Sequence, residues 1–192
     1  MTVNNIIRYS FTKHIETVEL VHETLIASIE NIGKVLSRSL SSDGAIFWCG
    51  NGGSAADSQH LAAELVGRFK IDRRPLRSMA LNTDTSILTC IANDYSYNDI
   101  FSRQVKALGR QGDVLVVIST SGNSENILRA VRVGRECGLT TIALLGKDGG
   151  LCKGLADHAL VVPSENTARI QESHILIGHI LCELIEEELG IA

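Results

Sequence analysis

The chain is poor in aromatic residues, in proline and in long apolar runs, and each shortage removes a class of function. Phe, Trp and Tyr make up 4% of the 192 residues, too few for the stacking platforms that bind single-stranded nucleic acid. The net charge is -4, and no run of Lys or Arg offers the cations that must displace counterions from a phosphate backbone. No apolar stretch approaches the roughly 18 residues that cross a bilayer, and residues 1–9 contain no apolar signal segment. A soluble, cytoplasmic protein without nucleic-acid or membrane partners is expected. Cys49, Cys90, Cys137, Cys152 and Cys182 are odd in number and include no C-x-x-C pair, which argues against a disulfide framework and a zinc ribbon. They are expected to serve as small apolar residues in a reducing compartment. With two prolines, Pro75 and Pro163, and no low-complexity stretch, no linker divides the chain, so residues 1–192 are expected to fold as one domain.

What is present is a βα grammar. Leu25, Ile29, Ile32, Leu36 and Leu40 recur at helical spacing and mark one apolar face of a helix within the first forty residues. After Ser41-Ser42-Asp43-Gly44 the pattern changes. Residues 45–49 are a continuous apolar run, followed by Gly50-Asn51-Gly52-Gly53-Ser54 and a helical pattern. Residues 114–118, 141–145 and 158–162 read as further strands, and 79–81 as a short one. Helical patterns are expected at 86–92, 100–108 and 125–137, with a long last helix over 168–189. Ser164, Glu165, Asn166 and Thr167 are candidate caps for that helix. Strands alternating with helices predict an α/β fold, a three-layer αβα sandwich around a mostly parallel sheet. Ligands in such folds sit at the carboxyl ends of the strands, where two unusual loops lie.

The first loop, residues 50–54, combines glycines with a helix start, an arrangement that points backbone N–H groups at an anion. It lacks the G-K-[ST] ending of a nucleotide P-loop and the G-x-G-x-x-G spacing of a dinucleotide site. The second, Ser119-Thr120-Ser121-Gly122-Asn123-Ser124, offers four hydroxyls in six residues. A helix cap needs one of them, Ser121 or Ser124. Four predict a phosphate cradle built from oriented donors rather than net charge. On the helix after the first loop, His60 and Glu64 are one turn apart on one face and could share a metal ion. On the last helix Gln171 and His179 are eight residues apart, about 80° around the axis. His174 is five residues from His179, so the two do not share a face, and it is left out of the metal set.

The hydroxyl loop after a buried strand is similar to the phosphate loop of SIS (sugar isomerase) domains. Residues 49–65, Cys-Gly-Asn-Gly-Gly-Ser-Ala-Ala-Asp-Ser-Gln-His-Leu-Ala-Ala-Glu-Leu, narrow the likeness to the phosphoheptose isomerase branch. Thr83-Asp84-Thr85-Ser86, Ala92-Asn93-Asp94-Tyr95 and Ile170-Gln171-Glu172 extend it over essentially the whole chain. The resemblance implies a flavodoxin-like sheet and an aldose–ketose isomerase acting on sedoheptulose 7-phosphate, with no nucleotide cofactor. It implies Glu64 and His179 as the acid–base pair and a zinc site of His60, Glu64, Gln171 and His179. It places Asn51, Gly52, Gly53, Ser54, Glu64, Asn93, Asp94, Ser119, Thr120, Ser121, Ser124 and Gln171 around the substrate. It also implies a homotetramer, with residues 1–42 in the subunit contacts. Arg68 and Arg169 are candidates for substrate or inter-subunit contacts, with plain surface cations as the default expectation. Ala168 stands where some members of the branch carry an Asp, which removes one contact to a sugar hydroxyl.

The rival reading is a non-catalytic SIS protein that binds the replication initiator, which residues 80–84 and 168–171 also resemble. That relative lacks the carboxylate matching Glu64 and the serine matching Ser121, and both are present here. A glutamine-dependent synthase would need an amidotransferase domain, and a transcriptional sensor would need a DNA-binding segment.

Overall fold

The computed structural model describes residues 2–190. Among them, seven α-helices and five strands follow one another as α1 (Val3–Ser41), β1 (Ile46–Gly50), α2 (Gly53–Val66), β2 (Ser78–Ala80), α3 (Thr85–Asp94), α4 (Ser102–Leu108), β3 (Val114–Ser119), α5 (Glu125–Glu136), β4 (Thr140–Gly146), α6 (Cys152–Leu155), β5 (His158–Val162) and α7 (Thr167–Glu188). The strands are all parallel, in the order β2-β1-β3-β4-β5. The expected three-layer α/β sandwich is present.

Alternation along the strands makes two cores. Ile46, Trp48, Val114, Val116, Ile118, Ile142, Leu144, Leu160 and Val162 pack with α1, α2 and α7 on one face. Phe47, Cys49, Leu115, Val117, Ala143 and Leu145 pack with α3 to α6 on the other. Burial on both faces is why these strands read as unbroken apolar runs. The chain order reverses direction between β1 and β3, the topological switch point where such sheets open a crevice at the strand carboxyl ends. Gly50 of β1 is in register with Ile118 of β3, so the glycine loop and the hydroxyl loop leave the sheet side by side.

Several local expectations are corrected. The helix expected at 100–108 is present but starts two residues later, as α4, and a 3₁₀ turn at Tyr97–Asp99 precedes it. The short α6 is unmarked in the sequence, because four residues carry no periodicity. α1 spans 39 residues, and its first half is not apolar-striped towards the core: Val3, Ile6, Ile7, Phe11 and Ile15 are exposed. Cys49, Cys152 and Cys182 are buried, whereas Cys90 is exposed. Burial pushes the Cys152 thiol up to about 11 and the Cys182 thiol to about 12, so both are inert core residues at neutral pH.

Candidate active site

The two loops are tied together by side chains. Asn51 exchanges a reciprocal amide pair with Asn126 of α5, 2.9 Å in each direction, and accepts a hydrogen bond from the Tyr97 hydroxyl at 3.1 Å. The glycine loop is thus pinned to the helix that the hydroxyl loop begins. Gly52, at φ 57°, takes the N-cap position of α2. Gly122 has φ +63°, and a Cβ there would stand 2.0 Å from the Gly149 carbonyl oxygen, so the hydroxyl loop closes onto the 149–151 turn. The Leu151 N–H donates to Asn123 Oδ1 at 3.0 Å, and the Cys152 N–H donates to the Gly122 carbonyl at 3.0 Å.

Between the loops lies a cavity of about 70 Å³, lined by Asn51, Ser54, Ser119, Thr120, Ser121, Ser124 and Gln171 over the floor of Ile118. Ser119 Oγ is used locally, accepting from the Gly122 N–H at 3.1 Å, and Ser121 Oγ accepts from the Asn123 N–H at 3.3 Å. Ser124 occupies the N-cap position of α5, yet its side chain makes no capping bond. The capping explanation of the serines therefore fails at Ser124, whose residue faces the cavity instead. The lining contains hydroxyls, amides and the N-terminal end of α5, but no Lys or Arg. A lining of this kind can hold an anion by fixed donors and the helix end.

The second half of the site is ionisable. Gly178 lets α2 and α7 approach, since a Cβ there would lie 2.5 Å from Leu61 Cδ1. His60 and His179 are the chain neighbours of these two residues, and their Nε2 atoms are 2.9 Å apart. Two imidazole nitrogens at that distance share one proton or one cation between them. His60 Nε2 is 3.3 Å from Glu64 Oε1. His60, Glu64 and His179 form a group whose ligand atoms all lie within 4.8 Å of one another. Nitrogen and carboxylate donors of this kind suit zinc. Gln171 lies two turns before His179, with its amide so close to the first loop that a Cβ on Gly53 would be 2.7 Å from its Nε2.

Asn93 and Asp94 do not line this cavity. They form the last turn of α3, where Asn93 Nδ2 donates to Asp94 Oδ1 at 2.8 Å and the carboxylate also meets the Cys90 thiol at 3.5 Å. Arg169 is not a free surface cation, since its side chain is 13% exposed. It donates to the Ser10 carbonyl at 2.6 Å and to Glu172 Oε1 at 2.5 Å, tying α7 to α1. Arg68 is exposed. His174, outside the metal set, is fully buried with Nε2 2.9 Å from the Leu145 carbonyl oxygen.

Sequence reasoning missed the support behind the cluster. Phe69, in the segment after α2, stacks on the His179 ring with centroids 5.5 Å apart and planes at 19°. That segment is held by a buried ion pair, Arg73 with Glu186, at 3.0 Å. The seven-residue spacing of His179 and Glu186, which puts them on one face of α7, was the available signal.

Comparison with known proteins agrees with this arrangement. The family model described as "SIS domain" matches residues 10–146. A phosphoheptose isomerase from Clostridium acetobutylicum is 54% identical over 164 residues, covering 85% of this chain and 84% of its own. One from Helicobacter pylori is 50% identical over 188 residues, 98% of each chain. Two solved phosphoheptose isomerases superpose closely. That from Neisseria gonorrhoeae has a TM-score of 0.92 at 44% identity, covering 97% of this chain and 100% of the other. That from Francisella tularensis has a TM-score of 0.95 at 38% identity, with the same coverage. Near-complete coverage in both directions leaves no room for a shared fragment alone, and the chain belongs to the SIS domain family, in its phosphoheptose isomerase branch.

Proposed function

We infer that the protein converts D-sedoheptulose 7-phosphate to D-glycero-D-manno-heptose 7-phosphate, an aldose–ketose isomerisation. The observation that best supports this reading is that α7 carries both Gln171, which lines the hydroxyl cavity at the switch point, and His179, which joins His60 and Glu64 in one cluster. The phosphate sits in the cavity, taken by Thr120, Ser121 and Ser124 with Ser119 and Ser54. Asn51, Gly52, Gly53 and Gln171 line the sugar, and Asn93 and Asp94, outside the phosphate cavity, bind its hydroxyls. Glu64 removes a proton from C1 of the open-chain ketose and returns it to C2. His179 moves a proton from the O1 hydroxyl to the O2 carbonyl, so the enediol forms and collapses with every proton accounted for.

The donor set fits zinc, held by His60, Glu64 and His179 with Gln171 as a fourth ligand. Bound there, the ion would supply Lewis-acid stabilisation of the enediolate oxygen. A carboxylate that ligates a metal is a weaker base, so zinc content and turnover are separate measurements. The presence of Glu64 and Ser121 in the site disfavours the replication-initiator-binding alternative. Residues 1–192 are one SIS domain in this reading, and the exposed Val3, Ile6, Ile7, Phe11 and Ile15 of α1 are covered in a homotetramer. Among the described residues no helix is long and apolar enough to cross a membrane, which is compatible with a cytoplasmic enzyme. It would perform the first step of heptose supply for lipopolysaccharide or another surface glycan.

The test is incubation of the purified protein with sedoheptulose 7-phosphate, following the aldoheptose phosphate by NMR with and without a chelator. Conversion is expected. Its loss on chelation, with recovery on adding zinc, would give the ion a part in turnover. No conversion in any condition, zinc added back included, would overturn the reading.

A further inference from the structure

The segment after α2 is held by an arrangement that no step of the reaction uses. Glu186 is buried on α7, and its side chain and that of Arg73 are each 2% exposed. Arg73 Nε donates to Glu186 Oε1 at 3.0 Å. The backbone N–H groups of Phe69 and Lys70 donate to Glu186 Oε1 and Oε2 at 3.3 and 3.2 Å. The rest of the guanidinium faces the other way, donating to the Leu65 and Glu64 carbonyl oxygens, both at 2.9 Å. These are among the last carbonyls of α2, groups a helix end leaves without partners.

One ion pair therefore joins three things: the C-terminal end of α2 behind Glu64, the Phe69 backbone, and α7 two turns beyond His179. Burial of both charges is costly unless every donor and acceptor is used, and here the carboxylate takes three donors. The result is local order in a segment that is neither helix nor strand. Its one aromatic ring lies flat on His179, and it leaves His179 Nε2 turned towards His60.

The geometry points to Phe69, Arg73 and Glu186 as positioning residues for the Glu64–His179 pair: the buried ion pair fixes the segment, and the Phe69 ring fixes the plane of the His179 imidazole. This rests on the isomerase reading for its kinetic consequence, but not for its structural one. A ring that is free to swing loses the aim on the reacting atoms, and misplacement of about 1 Å costs up to roughly a hundredfold in rate.

The experiment compares Phe69→Leu, Phe69→Tyr and Glu186→Gln with the parent. It uses sedoheptulose 7-phosphate kinetics, melting temperature, and the ring C–H signals of His179 in the NMR spectrum, assigned by their disappearance in His179→Gln. Phe69→Leu keeps an apolar side chain and removes the ring. It is expected to lower kcat about tenfold or more with KM within about twofold, and to move the His179 signals as the ring current is lost. Phe69→Tyr keeps the stack and should restore both. Glu186→Gln should shift the His179 signals and lower kcat even at temperatures where the variant remains folded. Parent-like kcat and parent-like His179 signals in Phe69→Leu would overturn the proposal, as would a Phe69→Tyr variant no better than Phe69→Leu. The spectroscopic arm needs no turnover, so failure of the isomerase reading and failure of the positioning claim are read separately.

Discussion

The two halves of the site are held by opposite means. The hydroxyl loop is set by the backbone: Gly122 at positive φ, bonds from the 151–152 turn, and the start of α5. The imidazole–carboxylate cluster is set by side chains packed on side chains, from the Gly178–Leu61 contact to the Phe69 stack. An anion needs many weak donors in fixed places, and a backbone loop supplies them without moving parts. Proton transfer needs groups that can change charge, and these must be held by neighbours rather than by the chain. The lesson is that the first half should fail in binding and the second in turnover.

The sharpest separation is at His179. His179→Gln is expected to lower kcat by about 10² to 10⁴, the range for loss of a general acid–base group, with KM little changed, in steady-state kinetics. The second imidazole of the same helix should do the reverse. Burial holds His174 at about 4, well below its ordinary 6.5, so the folded protein keeps it neutral where the unfolded chain protonates it. Its contribution to stability is fully present above pH 6.5 and is lost as pH falls from 6.5 towards 4, up to roughly 3 kcal/mol. Denaturant titrations across that window should show the slope, and His174→Gln should flatten it without the kcat loss seen at His179.

In the hydroxyl loop, Thr120→Val should raise KM roughly tenfold or more, since a hydrogen bond to a charged group is worth about 1.5–3 kcal/mol. Its kcat should stay within about threefold of the parent, a margin set by the expectation that the lost bond is equal in ground and transition states. A large kcat effect would erase the contrast between the two halves. Gly122→Ala tests the scaffold. The positive φ and the Gly149 carbonyl oxygen in its way should cost about 1–3 kcal/mol, seen as a lower melting temperature.

Much of this is legible in the chain because the signals are local. Residues 114–118 and 141–145 announce buried parallel strands by unbroken apolar composition, and His60 and Glu64 announce a shared helix face by spacing. Capping logic works where the cap is a single side chain. Asn166, one of the candidates for α7, accepts from the N–H groups of Ala168 and Arg169 at 3.0 and 3.5 Å. Asp84 does the same for α3, its side chain accepting from the Ile87 N–H at 2.9 Å.

What stays hidden is tertiary. Arg73 and Glu186 are 113 residues apart, and the spacing of Glu186 from His179 marks a shared helix face without naming its partner. The first half of α1 is illegible for a different reason: its apolar residues are exposed in the single chain, so they form no stripe towards its core. The family resemblance implies Asn51 as a substrate contact, and its amide pair with Asn126 cannot be seen without the fold.

The central claim is that Glu64 carries the carbon-bound proton. Its most direct test is the Glu64→Gln variant, nearly the same in shape, assayed by NMR for conversion of sedoheptulose 7-phosphate beside the parent. The account predicts a folded protein, with the parent's melting temperature within a few degrees, about a thousandfold or more slower in turnover. A folded Glu64→Gln protein that converts the sugar phosphate at the parent's rate would contradict it.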